Sequence, residues 1–213
     1  MDRFSLCLPF TLAQERNVAT AQWGDSRNFD NDPHDSGGAT QDGITQAECT
    51  EYRAKLGKPN QSVRLINSAE GSAIYRGYWE PHCPQLPAGL DMSFFDSNVN
   101  EGLGEAINIL QVALGIKETG RWDDATTAAV AAIKDVPAVV KSFTARRGVV
   151  YEETKGFKYF GNDWERRDKQ IGTTSLQMAS AVVVAKPIVQ TPAAPAKTTT
   201  LLAVLWNKCR GRA

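Results

Sequence analysis

The segment "GLDMSFFDSNVNEG", Gly89 to Gly102, constrains the fold more than any other stretch. Read as a helix, it carries Leu90, Met92, Phe94, Phe95 and Val99 around most of its circumference instead of along one stripe. A helix of that kind has to be enclosed by other elements. Its polar side chains, Asp91, Asp96, Asn98 and Asn100, must then find partners or a function in the interior.

The remainder of the chain supplies helices. "LGEAINILQVALG" is amphipathic, with Ile107, Leu110 and Leu114 at helical spacing and Gly115 as its stop. "RWDDATTAAVAAIK" follows with Asp123 or Asp124 as its cap. Pro137 sits at a helix start before "AVVKSFTARRGVVYEE", and "FKYFGNDWERRDKQIGTTSLQMAS" runs to Ser180. At the other end, Phe4, Leu8 and Leu12, with Leu6 and Ala13, predict a first helix that ends near Glu15. "TQAECTEYRAKLG" predicts a helix from Thr45 or Gln46 that stops at Gly57, with Pro59 beyond. Ser68 is expected to cap "SAEGSAIYRGYWE", whose Ala73, Ile74 and Trp79 turn inward. The fold class is therefore mainly α. Residues 16–43 hold few apolar anchors besides Val18, Trp23 and Phe29 and are expected to be mostly irregular.

After Ser180 the composition changes to "VVVAKPIVQTPAAPAKTTT", which has no periodicity and reads as a linker. The final "LLAVLWNKCRGRA" reads as a mobile tail, the alternative being contact with a membrane surface or a partner. Lys plus Arg and Asp plus Glu both total 24, so no bulk attraction draws the chain to nucleic acid. Cys7, Cys49, Cys83 and Cys209 are scattered, without metal-ligand spacing, and read as thiols, with a disulfide pair as the alternative. No apolar run reaches transmembrane length and no signal peptide is recognisable, so the expected site of synthesis is the cytoplasm.

The run "DNDPHDSGGATQDGIT", Asp30 to Thr45, cannot build a core and suits a loop shaped for a polar ligand. An acid closing the first helix, followed by such a loop, is similar to the arrangement in lysozyme-like enzymes. Cleaving a glycosidic bond needs one carboxyl to protonate the leaving oxygen and a second group on the opposite face of the sugar. Glu15 fits the first role, and Asp35 with Thr40 holding a water fits the second. Gly37, Gly38 and Gly43 permit positive φ and close approach of a sugar to the backbone.

Four blocks carry a more specific resemblance. "DPHDSGGATQDGIT" resembles the "DPxDPGGxTxxGIT" signature of glycoside hydrolase family 108, the lysozyme-like N-acetylmuramidases of phage endolysins and bacterial genomes. "AIYRGYWEPHCPQLPAGLDMSFFDSNVNEG" resembles the family's "YxxxYW…LPxGLDxxxFDxAVNxG" segment. "ALGIKETGRWDDATTAAV" is similar to the start of its predicted peptidoglycan-binding region, and "RRGVVYEETKGFKYFGNDWERR" to its closing block. The family's acid stands in "EGGY" just before the first block. Here either Glu15 in "LAQE", followed by an insertion bearing Trp23, or Ser26 in "SRNFDND" takes that place, and Asp25 is a poor substitute. Glu15 is favoured because it ends an apolar-faced first helix; Ser26 would leave no acid and a dead enzyme.

The resemblance implies a lysozyme-like domain over residues 1–180, with a catalytic part to about residue 90 and a peptidoglycan-binding part from about 91, then the tail 181–213. It implies hydrolysis of the β-1,4 bond between N-acetylmuramic acid and N-acetylglucosamine by a monomer that needs no cofactor or metal, binds peptidoglycan glycan strands, and neither binds nucleic acid nor inserts stably in a membrane. The expected place of action is the wall, after release by a holin or similar pore. Gly37, Gly38, Asp91, Asn100 and Trp79 are the expected substrate contacts. Each has a plainer alternative: a hydrogen-bonded structural role for Asp91, Asp96 and Asn100, core packing for Trp79, Tyr78 and Trp23, and a turn or cap for Asp35 and Thr40. His34 and His82 are isolated. The rival functions are a catalytically inactive peptidoglycan binder and a virion- or wall-associated protein.

Overall fold

A computed structural model describes residues 2–181 apart from 18, 20 and 32–37. The chain divides into two compact units, one reaching Gly77 and the other starting at Tyr78.

The first unit opens with α1 (Arg3–Glu15), whose start is capped by Asp2, the Oδ1 of which accepts from the Phe4 N–H. Phe4, Cys7 and Leu12 form its buried face. The described residues of 16–43 hold more regular structure than their composition predicts. A 3-10 turn at Ser26–Asn28 leads into a small antiparallel sheet of β1 (Phe29–Asp30), β2 (Thr40–Gln41) and β3 (Ile44–Thr45), in that order. Asp30 pairs with Thr40, which pairs with Thr45 across a two-residue turn of Asp42 and Gly43. Two-residue strands leave almost no alternation to read in the sequence, and so the sheet escapes a pattern search.

Next, α2 (Gln46–Lys55) begins with a reciprocal cap. The Glu48 N–H donates to Thr45 Oγ1 at 3.2 Å, and the Thr45 N–H donates to Glu48 Oε2 at 2.7 Å. The next helix, α3 (Ser68–Trp79), is capped by Asn67 and not by Ser68, because it is Asn67 Oδ1 that accepts from the Glu70 N–H at 3.0 Å. With Asn67 as the cap, the satisfied donor is the N–H three residues on, at Glu70.

The second unit is all-helical among its described residues. At its centre lies α4 (Leu90–Glu101), buried at every position except Val99, as its apolar circumference requires. It packs against α5 (Leu103–Ala113), α7 (Val136–Glu152) and α8 (Phe157–Ser180), with α6 (Asp124–Ala131) between α5 and α7 in the chain. Asp123 caps α6 through the Thr126 N–H, and Asp135 caps α7 through the Ala138 N–H. Gly89 precedes α4 with φ +90, and a Cβ there would collide with the backbone at Ser175 and Ala179.

The polar groups of α4 are partnered within this unit. Asp96 accepts from Arg167 Nε at 2.9 Å and Nη2 at 3.0 Å, and its Oδ2 lies 2.9 Å from Arg147 Nη1. Glu101 is paired with Arg147 at 2.8 Å, with Ser97 and with the Tyr151 hydroxyl. Cys7, Cys49 and Cys83 are buried, whereas Cys209 and the expected linker and tail lie outside the described residues. No helix among the described residues is long and apolar enough to cross a membrane.

Candidate active site

Glu15 is the last residue of α1 and is fully buried. Its neighbour is the β2–β3 turn: a Cβ built on Gly43 would stand 2.7 Å from the Glu15 Cβ and 2.6 Å from the Tyr75 hydroxyl. Only glycine fits there, and with φ +79 the backbone demands it as well. Gly43 thus makes room for the acid and Tyr75, whereas the sequence suggested room for a sugar. Gly38, by contrast, has φ +70 with open space beside it. Thr40 lies on β2 of the same hairpin and is 3 % exposed. The structure therefore groups Glu15, Gly43 and Thr40 in one unit, while Asp35 and Gly37 lie outside the described residues, as does His34.

The turn itself is held from beneath. Asp42 is fully buried with φ +54, and its carboxylate accepts from the Gly24 N–H at 2.8 Å, Asn28 Nδ2 at 3.1 Å and Gln41 Nε2 at 3.2 Å. The Tyr75 hydroxyl donates to the Asp42 carbonyl at 3.0 Å. Arg16 Nε stands 2.9 Å from Asp42 Oδ1 and its guanidinium covers the Trp23 ring at 4.5 Å. Trp23 meets Tyr75 edge-on at 6.2 Å and lies where any side chain on Gly71 would have to go. Sequence reasoning did not single out Arg16, Asp42 or Tyr75. A charged residue inside a polar run and another just past a helix end were the available signals, but only burial distinguishes them from solvated charges.

The rival positions for the acid look different. Ser26 is exposed at the start of the 3-10 turn. Asp25 is held by Arg27, which donates through Nε at 2.9 Å and Nη2 at 2.7 Å, and this pairing draws its carboxyl down to about 2. An acid kept ionised by a guanidinium is a poor proton donor.

The other expected substrate contacts lie in the second unit, engaged within it. Asp91 is fully buried, with Oδ1 accepting from the Gly89 and Met92 N–H groups at 2.8 Å each. Asn100 Oδ1 accepts from the Tyr151 hydroxyl at 2.7 Å, and Asn98 Nδ2 donates to the Tyr78 carbonyl at 2.8 Å. Trp79 is 3 % exposed and meets Phe95 edge-on at 5.5 Å. His82 stacks flat on Trp122 at 4.3 Å, and burial lowers its tendency to take up a proton.

Against known proteins, residues 24–102 match the family model described as Glycosyl hydrolase 108. The matched segment includes the hairpin and α4 and begins after Glu15. No curated protein matches the chain. Among solved structures, the chain is similar to that described as the structure of Brucella abortus SagA, with 25% sequence identity and a TM-score of 0.66 over 83% of this chain and 95% of that one.

Proposed function

From the premise that residues 24–102 are a glycosyl hydrolase 108 region, we propose that the protein is a peptidoglycan hydrolase of the N-acetylmuramidase type, endolysin-like in role. It cleaves the β-1,4 bond between N-acetylmuramic acid and N-acetylglucosamine. The observation that carries this reading is the burial of Glu15 at the end of α1, directly against Gly43 of the family's glycine-containing hairpin. A carboxyl withdrawn from water favours its neutral form, from which a general acid donates.

In this reading Glu15 protonates the departing glycosidic oxygen. Asp35 acts on the opposite face and Thr40 holds the water that completes hydrolysis. Gly37 and Gly38 contact the glycan, and the part from about residue 91 to 180 grips the strand. The monomer reaches the wall after release from the cytoplasm.

The test compares release of reducing ends from purified Gram-negative peptidoglycan by the wild type and by Glu15→Gln, with a pull-down on the same material. Activity lost and binding retained in Glu15→Gln is the expected result. A wild type that binds without releasing ends would make the protein a binder and sink the enzymatic reading.

A further inference from the structure

We propose that Asp42 is the positioning residue of Glu15, acting through Arg16 along the chain and through Gly43 across space. The inference rests on Glu15 being the acid.

A helix end is where backbone order is weakest, because the last carbonyls have no partner within the helix. Glu15 stands at such an end, and Arg16 already departs from helical geometry with φ −110 and ψ 138. Left alone, this end would fray and the carboxyl would wander. Arg16 prevents it: only 6 % exposed, it places Nε beside Asp42 Oδ1, donates from Nη1 to the Ala21 carbonyl at 3.1 Å, and is covered by Trp23.

Asp42 fixes the other boundary of the acid. Its backbone N–H donates to the Asn28 carbonyl at 3.1 Å and its own carbonyl receives the Tyr75 hydroxyl, so the turn that presents Gly43 to Glu15 is tied at both its groups. One buried carboxylate thus gathers the loop at Gly24 and Asn28, the strand at Gln41 and the residue following the acid. An amide of the same shape cannot accept at both positions, nor neutralise Arg16. A charge-assisted pair also fixes geometry more firmly than neutral hydrogen bonds do.

The experiment measures kcat and KM on solubilised peptidoglycan strands for the wild type, Asp42→Asn, Arg16→Met, Arg16→Lys and Asn67→Ala, each checked for folding at the assay temperature. A misplaced acid lowers kcat on the order of 100-fold while KM stays within about twofold, since a shift of about 1 Å suffices for such a loss. Asp42→Asn and Arg16→Met should both show this, and Arg16→Lys should recover part of it by restoring the charge. Asn67→Ala weakens the same unit at the cap of α3, with no bond to Arg16 or Asp42, and controls for simple destabilisation. Wild-type kcat in Asp42→Asn, a loss confined to KM, or a fall no greater than that of Asn67→Ala would overturn the proposal while leaving Glu15 as the acid. Full activity in Glu15→Gln would overturn both readings together.

Discussion

Gly43 and Glu15 are packed so closely that position 43 has no room for a single methyl group: its carbon would stand 2.7 Å from the Glu15 Cβ. Alanine there must also adopt φ +79, a left-handed conformation that costs about 1–3 kcal/mol outside glycine. Gly43→Ala is therefore expected to lower both the thermal midpoint and the rate of reducing-end release, the rate by tenfold or more on the scale set by small misplacements of catalytic groups. Gly57→Ala, at φ +65 with open space around it, shares the strain without the collision and should lose stability alone. Equal activity losses in the two variants would show that strain, not the contact with Glu15, matters.

Two guanidiniums, Arg147 and Arg167, serve three carboxylates in the second unit: Asp96, Glu101 and Asp168. Asp168 is the least well served, with Oδ1 4.0 Å from Arg147, and burial pushes its carboxyl up to about 7 against a usual 3.8. Because the folded value is the higher one, the native state favours the protonated form. Its contribution is fully present below pH about 4 and is lost as pH rises through about 7. Asp168→Asn removes this dependence. Its thermal midpoint should exceed that of the wild type at pH 8, with a ceiling of a few kcal/mol at about 1.4 per unit, and the two should converge near pH 4. Parallel curves across that range would refute the assignment.

Asp96 joins Arg167 in a two-pronged contact at the heart of the same network. Asp96→Asn leaves the Arg167 guanidinium facing a neutral amide in the interior, a change that costs about 3–5 kcal/mol. Urea unfolding monitored at Trp164, which stacks on Tyr151 at 5.3 Å, should report that loss. A midpoint within error of the wild type would mean that Arg167 finds its compensation elsewhere.

The reciprocal contact between Thr45 and Glu48 satisfies donors at the start of α2 from both sides. Thr45→Ala should cost about 1 kcal/mol, while Thr45→Ser, which keeps the hydroxyl, should cost less. Chemical denaturation of the three proteins decides it, and identical midpoints would exclude the cap as a source of stability.

Local signals were legible wherever one residue type has one strong physical use. The apolar circumference of α4 announced its burial, the pair Asp123 and Asp124 announced the start of α6 and Pro137 that of α7, and Gly57 and Gly115 the stops of α2 and α5. The end of α1 at Glu15 was legible because its apolar face stops beside a run that no core can use. The cap of α3 was misread by one position, since serine and asparagine are both strong caps and only geometry shows that Asn67 takes the role. The sheet was missed because strands of two residues are set by the Asp42–Gly43 turn and by burial, not by alternation.

By itself, then, the sequence determined the helical class, the position of the central helix, and the acid that closes α1, because periodicity and caps are properties of neighbours along the chain. The tertiary structure alone decided what surrounds that acid. Arg16 and Asp42 are 26 positions apart, and Asp42 and Tyr75 are 33 apart. A buried charge can be told from a solvated one only when the partners that replace its water have been brought to it by the fold.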